Sequence, residues 1–204
     1  MNDVWAIVLA AGMSIRMGTQ KLLPPFDGMT IIERVIANIL GSGIENILVV
    51  LGADHEEVAE ALEFWPVQTI WNENFREGMH TSVMTAVYAL PAGAKAALIF
   101  LGDQPLIPES AVRKVVEAWQ NSGKGIVIPL YEAKRGHPPL YDLKLRNQLQ
   151  HLDPSVGLRS IAQKFPEEIE EVETGCPGIL KDIDTRDEYL RELKYSQTNK
   201  TKNG

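Results

Sequence analysis

Apolar residues gather in short unbroken runs, separated by longer stretches in which they recur every three or four positions. Val4–Leu9, Ile47–Leu51 and Ala96–Leu101 are continuous and apolar, the pattern of strands buried on both faces of a parallel sheet. Val67–Trp71, Gly125–Pro129 and Ile179–Ile183 predict three further strands. Between them, helical spacing predicts helices over Ile31–Leu40, Glu56–Phe64, the stretch from Gly78 to Leu90, and Pro108–Asn121. Asp142–Leu152 and Leu158–Lys164 are helix candidates in a less regular region. Thr30 with Glu33, and Thr185 with Glu188, have the spacing of a capping box, the second opening a final helix to about Leu193. Asp54 is placed to cap the helix at Glu56, and Pro108 stands where a first helical turn tolerates proline. Alternating β and α elements imply a mostly parallel sheet with helices on both faces. Ligands of such sheets bind beyond the carboxyl ends of the strands, which directs attention to the loops after Leu9, Trp71, Leu101 and Ile183.

Composition narrows the classes. The 204 residues suit one core, predicted over 1–194, with a polar tail expected to be disordered over 195–204. Lys+Arg 20 against Asp+Glu 27 gives −7, which argues against a nucleic-acid backbone binder but not against one small anion held by local cations. The single cysteine, Cys176, excludes an intrachain disulfide framework and fits a reducing compartment. The apolar runs fall far short of the ~20 residues that span a bilayer, and the N-terminus lacks the positive region of a signal peptide. A cytoplasmic protein with no membrane and no nucleic-acid partner is expected.

Four segments carry chemistry. After the first strand, Leu9, Ala10, Ala11 and Gly12 let a backbone approach a ligand closely, and Arg16 and Lys21 add two cations. A triphosphate suits this loop, although a glycine-bearing turn with two solvated cations has the same spacing; neither the Walker ending nor a dinucleotide fingerprint is present. After the fourth strand, Asp103 in Gly102-Asp-Gln-Pro105 either projects a carboxylate into the crevice, as Mg²⁺ requires, or satisfies turn amides. Asp182-Ile-Asp184-Thr185 supplies a second carboxylate, with Asp182 and Asp184 on the same side if the segment is extended; Asp184 alternatively only starts the following helix. The loop Asn72–Ser82 is placed to contact a base, and His137 in Arg135-Gly-His-Pro-Pro139 to contact a second substrate or stand exposed in a turn. His55, His80 and His151 share no zinc-ligand spacing, and no Gly-x-Ser-x-Gly elbow occurs.

With these residues in order, the chain resembles the molybdenum cofactor cytidylyltransferase family within the MobA-like nucleotidyltransferases, over about Val4 to Leu193. The resemblance rests on Leu9-Ala-Ala-Gly-x-Ser-x-Arg-Met-Gly18-x-x-Lys21, followed by Gly102-Asp-Gln-Pro105, Gly136-His-Pro138 and Asp182-Ile-Asp-Thr185. It implies a Rossmann-like, GT-A-like α/β fold and Mg²⁺-dependent transfer of CMP from CTP to the terminal phosphate of molybdopterin, releasing pyrophosphate. It further implies Leu9 to Gly12 at base and ribose, Arg16 and Lys21 at the triphosphate, and Asp103 and Asp184 on Mg²⁺. Gly78, Met79 and Ser82 would help fix the base; Gly136, His137 and Pro138 would lie near the acceptor, in an acceptor part spanning roughly 130–175. Ala11 stands where guanylyl-transferring relatives carry glycine, and its methyl narrows the space beside the base in favour of a pyrimidine, by about 1–3 kcal/mol. Two further readings stay open: a cytidylyltransferase acting on a sugar or alditol phosphate, and a non-catalytic carrier of molybdenum cofactor for a purine hydroxylase client.

Overall fold

A computed structural model describes residues 3–12 and 20–203, those beyond Lys194 by their backbone alone. In chain order the elements are β1 (Val4–Ala10), β2 (Pro25–Phe26), β3 (Met29–Thr30), α1 (Ile31–Gly41), β4 (Asn46–Leu51), α2 (His55–Ala61), β5 (Gln68–Trp71) and α3 (Met79–Ala89). There follow β6 (Ala96–Leu101), α4 (Glu109–Ser122), β7 (Ile126–Tyr131), β8 (Lys134–Arg135), β9 (Leu140–Asp142), α5 (Arg146–Leu149), α6 (Arg159–Lys164), β10 (Ile169–Glu173) and α7 (Arg186–Asn203). The main sheet has the order β10–β7–β9–β6–β1–β4–β5, with β8 paired to β7. β6, β1, β4 and β5 are parallel neighbours, as are β7 and β10, while β9 enters antiparallel between β6 and β7.

The continuous apolar runs are central strands because both their faces are covered. Val4, Ala6, Val8 and Ala10 face one core with α1, α2 and α4; Trp5, Ile7 and Leu9 face the other with α3, α5 and α6. The chain leaves β1 towards β4 on one side and returns to β6 on the other, so the sheet's switch point lies between β1 and β6. There the Gly102 N–H donates to the Leu9 carbonyl at 3.0 Å, joining the two strand ends that open the crevice. Among the described residues no helix is long and apolar enough to cross a membrane.

Both capping boxes form: Glu33 and Thr30 bond reciprocally at α1, and Glu188 and Thr185 do so at α7. Asp54 does not cap α2. Its backbone is left-handed (φ 53°), and its carboxylate accepts from Gln20 Nε2 at 3.2 Å instead. The helix expected over Asp142–Leu152 is mostly absent: Leu140–Asp142 is pulled into the sheet as β9, leaving a 3-10 turn and the four-residue α5. No strand forms over Ile179–Ile183. Pro177–Leu180 is a 3-10 turn, and Ile179 and Ile183 are buried as plugs without a ladder partner. The strand of that region is β10, whose glutamates Glu170, Glu171 and Glu173 mark an edge beside β7. Finally, α7 runs past Leu193 through the polar tail to Asn203, since a helix nucleated by its capping box gains one hydrogen bond for each residue added.

Candidate active site

The carboxyl ends of β1 and β6 frame a crevice of about 370 Å³. Of the residues singled out from the sequence, Leu9, Ala11, Gly12, Lys21, Met79, Ser82, Asp103 and Asp184 line it. Ala10 is the buried last residue of β1 on the opposite face, and Gly78 (φ 120°) opens α3 just behind Met79. Arg16 lies outside the described residues. Leu22, Phe75, Leu101 and Asp182 also line the crevice and were not among the predicted site residues. Leu101, the last residue before Gly102, Asp182, two before Asp184, and Phe75, within the loop Asn72–Ser82, carried a signal in their position; Leu22 carried none.

The centre of the crevice is a cation between two carboxylates. Lys21 Nζ donates to Asp103 and, at 2.7 Å, to Asp184 Oδ1. Residues 81 positions apart along the chain meet here for a definite reason: the Ile183 N–H donates to the Asp103 carbonyl at 3.0 Å, so the two acidic segments share a backbone bond. Ile183, Tyr189 and Leu193 pack with Phe26 and Ile31, and Tyr189 donates to the Pro25 carbonyl at 2.5 Å, which holds α7 and the acidic segment against the body. Asp182 and Asp184 flank the buried Ile183 and both reach the crevice, the same-side placement that an extended backbone dictates.

Burial pushes the Asp103 carboxyl above the usual range; Lys21 pulls it down, and Asp182 and Asp184 push it further up. For Lys21, burial disfavours the ammonium, yet Asp103 and then Asp184 outweigh it and hold its pKa above the usual lysine value. Among the described residues Asp103 Oδ1 is buried with no hydrogen-bond partner, while its other oxygen takes Lys21. An orphaned oxygen on one of two carboxylates that share a lysine, with Asp182 also on the crevice wall, fits a hard divalent cation that takes its remaining ligands from phosphate oxygens.

Two neighbouring glycines are obligatory for close approach. A Cβ on Gly52 would stand 2.7 Å from Ala11 Cβ, so the Ala11 methyl is seated on β4's glycine turn. A Cβ on Gly136 would stand 2.4 Å from the Ile179 carbonyl oxygen. Gly136→Ala therefore forces the corner off the Pro177–Leu180 turn, and overpacking of this kind costs about 1–3 kcal/mol, to be read as a lowered Tm.

Gly136, His137 and Pro138 do not line the crevice. The His137 N–H donates to the Ile179 carbonyl at 2.9 Å, and His137 Nδ1 lies 3.3 Å from the Ile99 carbonyl oxygen, which places the ring proton on Nδ1. Burial pushes His137 below the usual histidine pKa, against the pull of the Ile99 carbonyl and of the Asp103 and Asp182 charges. The unfolded chain thus binds the proton more readily than the folded one. The stability this entails is complete above about pH 6.5 and is lost as pH falls through and below that value. His137→Gln should flatten this acid limb in thermal unfolding measured from pH 7 to pH 5.

Known proteins share this arrangement of elements. The family model described as MobA-like NTP transferase domain matches residues 6–171. The chain is 28% identical to a molybdenum cofactor cytidylyltransferase of Escherichia coli (strain K12), covering 93% of this chain and 95% of the relative. It is 26% identical to a nicotine blue oxidoreductase of Paenarthrobacter nicotinovorans, covering 93% and 96%. Among solved structures, a nucleotidyl transferase from Methanothermobacter superposes with a TM-score of 0.84 at 26% identity, covering 98% of this chain and all of that one.

Proposed function

The chain belongs to the MobA-like NTP transferase family and is a nucleotidyltransferase of that type, and from this premise we propose that it transfers CMP from CTP to the terminal phosphate of molybdopterin. The observation that carries the reading is the convergence of Asp103 and Asp184 on one cation at the switch point of the sheet. Oxidoreduction, the chemistry in the printed name of one relative, asks for no such pair.

An acceptor phosphate oxygen attacks the α-phosphorus in line, a new P–O bond forms, and the bond from the α-phosphorus to the bridging oxygen breaks, releasing pyrophosphate. An ionised phosphate is already nucleophilic, which is why the crevice needs no catalytic base. Asp103 and Asp184 are the residues that would hold Mg²⁺, which when bound supplies positive charge to phosphate oxygens. Lys21 offsets the charge that gathers on the leaving pyrophosphate, and Arg16 is assigned the same task by its place in the motif. Leu9, Ala11 and Gly12 supply the wall against the nucleoside. The Ala11 methyl, held by Gly52, narrows that wall in favour of a pyrimidine.

Incubation with CTP, GTP or ATP, Mg²⁺ and molybdenum cofactor, scored by pyrophosphate release, tests the proposal. Release with CTP is the expected result. Preference for GTP overturns the nucleotide, release only with a sugar or alditol phosphate overturns the acceptor, and tight cofactor binding without release favours a carrier.

A further inference from the structure

The buried amide of Asn72 bonds the Ser82 hydroxyl at the wall of the crevice. Asn72 directly follows β5 and is 2% exposed. The Asn74 backbone N–H donates to Asn72 Oδ1 at 3.1 Å, which settles which end of the amide is oxygen. Its Nδ2 hydrogens are then both spent inside the protein, one on Thr81 Oγ1 at 2.8 Å and the other on Ser82 Oγ at 2.9 Å. Ser82 Oγ is an acceptor in that bond, so its own proton is left to give. A helical serine ordinarily returns that proton to the carbonyl four residues back. For Ser82 that carbonyl is Gly78, which already receives the Thr81 N–H at 3.2 Å and shares the single Thr81 hydroxyl proton, at 2.8 Å, with the Asn74 carbonyl at 3.0 Å. Among the described residues the Ser82 hydroxyl proton has no acceptor, and Ser82 lines the crevice.

We infer that Asn72 is a positioning residue that makes Ser82 an obligate hydrogen-bond donor to the nucleobase, so that the base atom facing it carries a lone pair. The inference rests on the nucleotidyl-transfer reading above. An unconstrained serine either donates or accepts; Asn72 removes the choice. A ring nitrogen or carbonyl oxygen is thereby accepted at this position, and an N–H is refused because it would face a hydrogen and lose its own partner.

A double-mutant cycle on CTP binding tests this, with Ser82→Ala, Asn72→Asp and the two combined. Aspartate at position 72 accepts where the amide donates, so the Ser82 proton turns inward and the hydroxyl is lost to the base. Each single change should weaken CTP about tenfold, as removal of one hydrogen bond to a buried partner does. The double variant should be no weaker than Ser82→Ala alone, and the loss should fall on KM with kcat held. Asn72→Ala, which frees the hydroxyl to rotate, should lose less than Asn72→Asp and serves if the aspartate variant does not fold. Additive losses in the cycle, or either Asn72 variant binding CTP as tightly as the wild type, would overturn the inference. Wild-type protein that binds CTP and releases pyrophosphate while the cycle is additive leaves the nucleotidyl-transfer reading standing; wild-type protein that binds no nucleoside triphosphate overturns both.

Discussion

Asp103→Asn is expected to lower kcat/KM for pyrophosphate release by about a thousandfold or more while leaving the protein as stable as the wild type. The activity loss follows from removing one of two carboxylates from the centre of the crevice, an electrostatic contribution of roughly 4 kcal/mol at about 1.4 kcal/mol per decade. The retained stability follows from the opposite cause. Burial raises the Asp103 carboxyl above the usual range, so its ionised form is more costly in the folded protein than in the unfolded chain. The folded state then binds more protons than the unfolded one as pH climbs from the ordinary carboxylate value to the raised one, and stability falls across that window. Above the raised value that cost is present in full, and a neutral amide of the same shape removes it. Lys21 is not stranded by the change, because Asp184 still accepts from it at 2.7 Å. Thermal unfolding of the variant at pH 7 should match or exceed the wild type; a large fall in Tm would show that the Asp103–Lys21 pair holds the fold, and unchanged turnover would remove Asp103 from the chemistry.

Lys21→Met should damage both properties. The Lys21 side chain is 17% exposed and its ammonium lies between the side chains of two aspartates, so removing it leaves both carboxylates aimed at one point, with Asp182 also lining the crevice. Removing one partner from a pair this well buried costs on the order of 3 kcal/mol. The sign can be checked through pH. Lys21 has a raised folded-state pKa, so its contribution is complete below the ordinary lysine value of about 10.5 and is lost only as pH rises through the raised one. The deficit of Lys21→Met is therefore full at pH 7, and it shrinks as acid protonates Asp103, whose carboxyl burial already raises. Turnover should fall about 10²–10³-fold, the range for losing one fixed charge at a developing anion, and Lys21→Arg should recover more of the stability than of the rate. A methionine variant as stable as the wild type at pH 7 would mean that the ion pair contributes nothing to the resting protein.

On the proposed mechanism the two variants separate because Asp103 would serve the chemistry at the expense of the fold, whereas Lys21 would serve both. That separation also distinguishes a working nucleotidyltransferase from a carrier, in which loss of either charge would leave cofactor binding in place and no turnover to lose.

What the linear chain determined is whatever local physics specifies. The central strands were legible because β1, β4 and β6 are buried on both faces and must be apolar throughout, and the starts of α1 and α7 because a capping box is complete within four residues. The residue types of the site were legible in the same way: small residues after β1, a lysine, and acids at the ends of two segments. Long-range pairing was not. The edge strand β10 is half-exposed and studded with glutamates, β9 owes its strand conformation to the gap between β6 and β7, and Ile179 and Ile183 are apolar because they plug the core without pairing. Only the tertiary structure decided that Asp103 and Asp184 share Lys21, through the backbone bond from Ile183 to Asp103, and that His137 meets the Ile99 carbonyl and is not part of the crevice lining. Composition and spacing specify which groups a chain carries; the distances between groups far apart in sequence exist only after loop closure and core packing have brought them together.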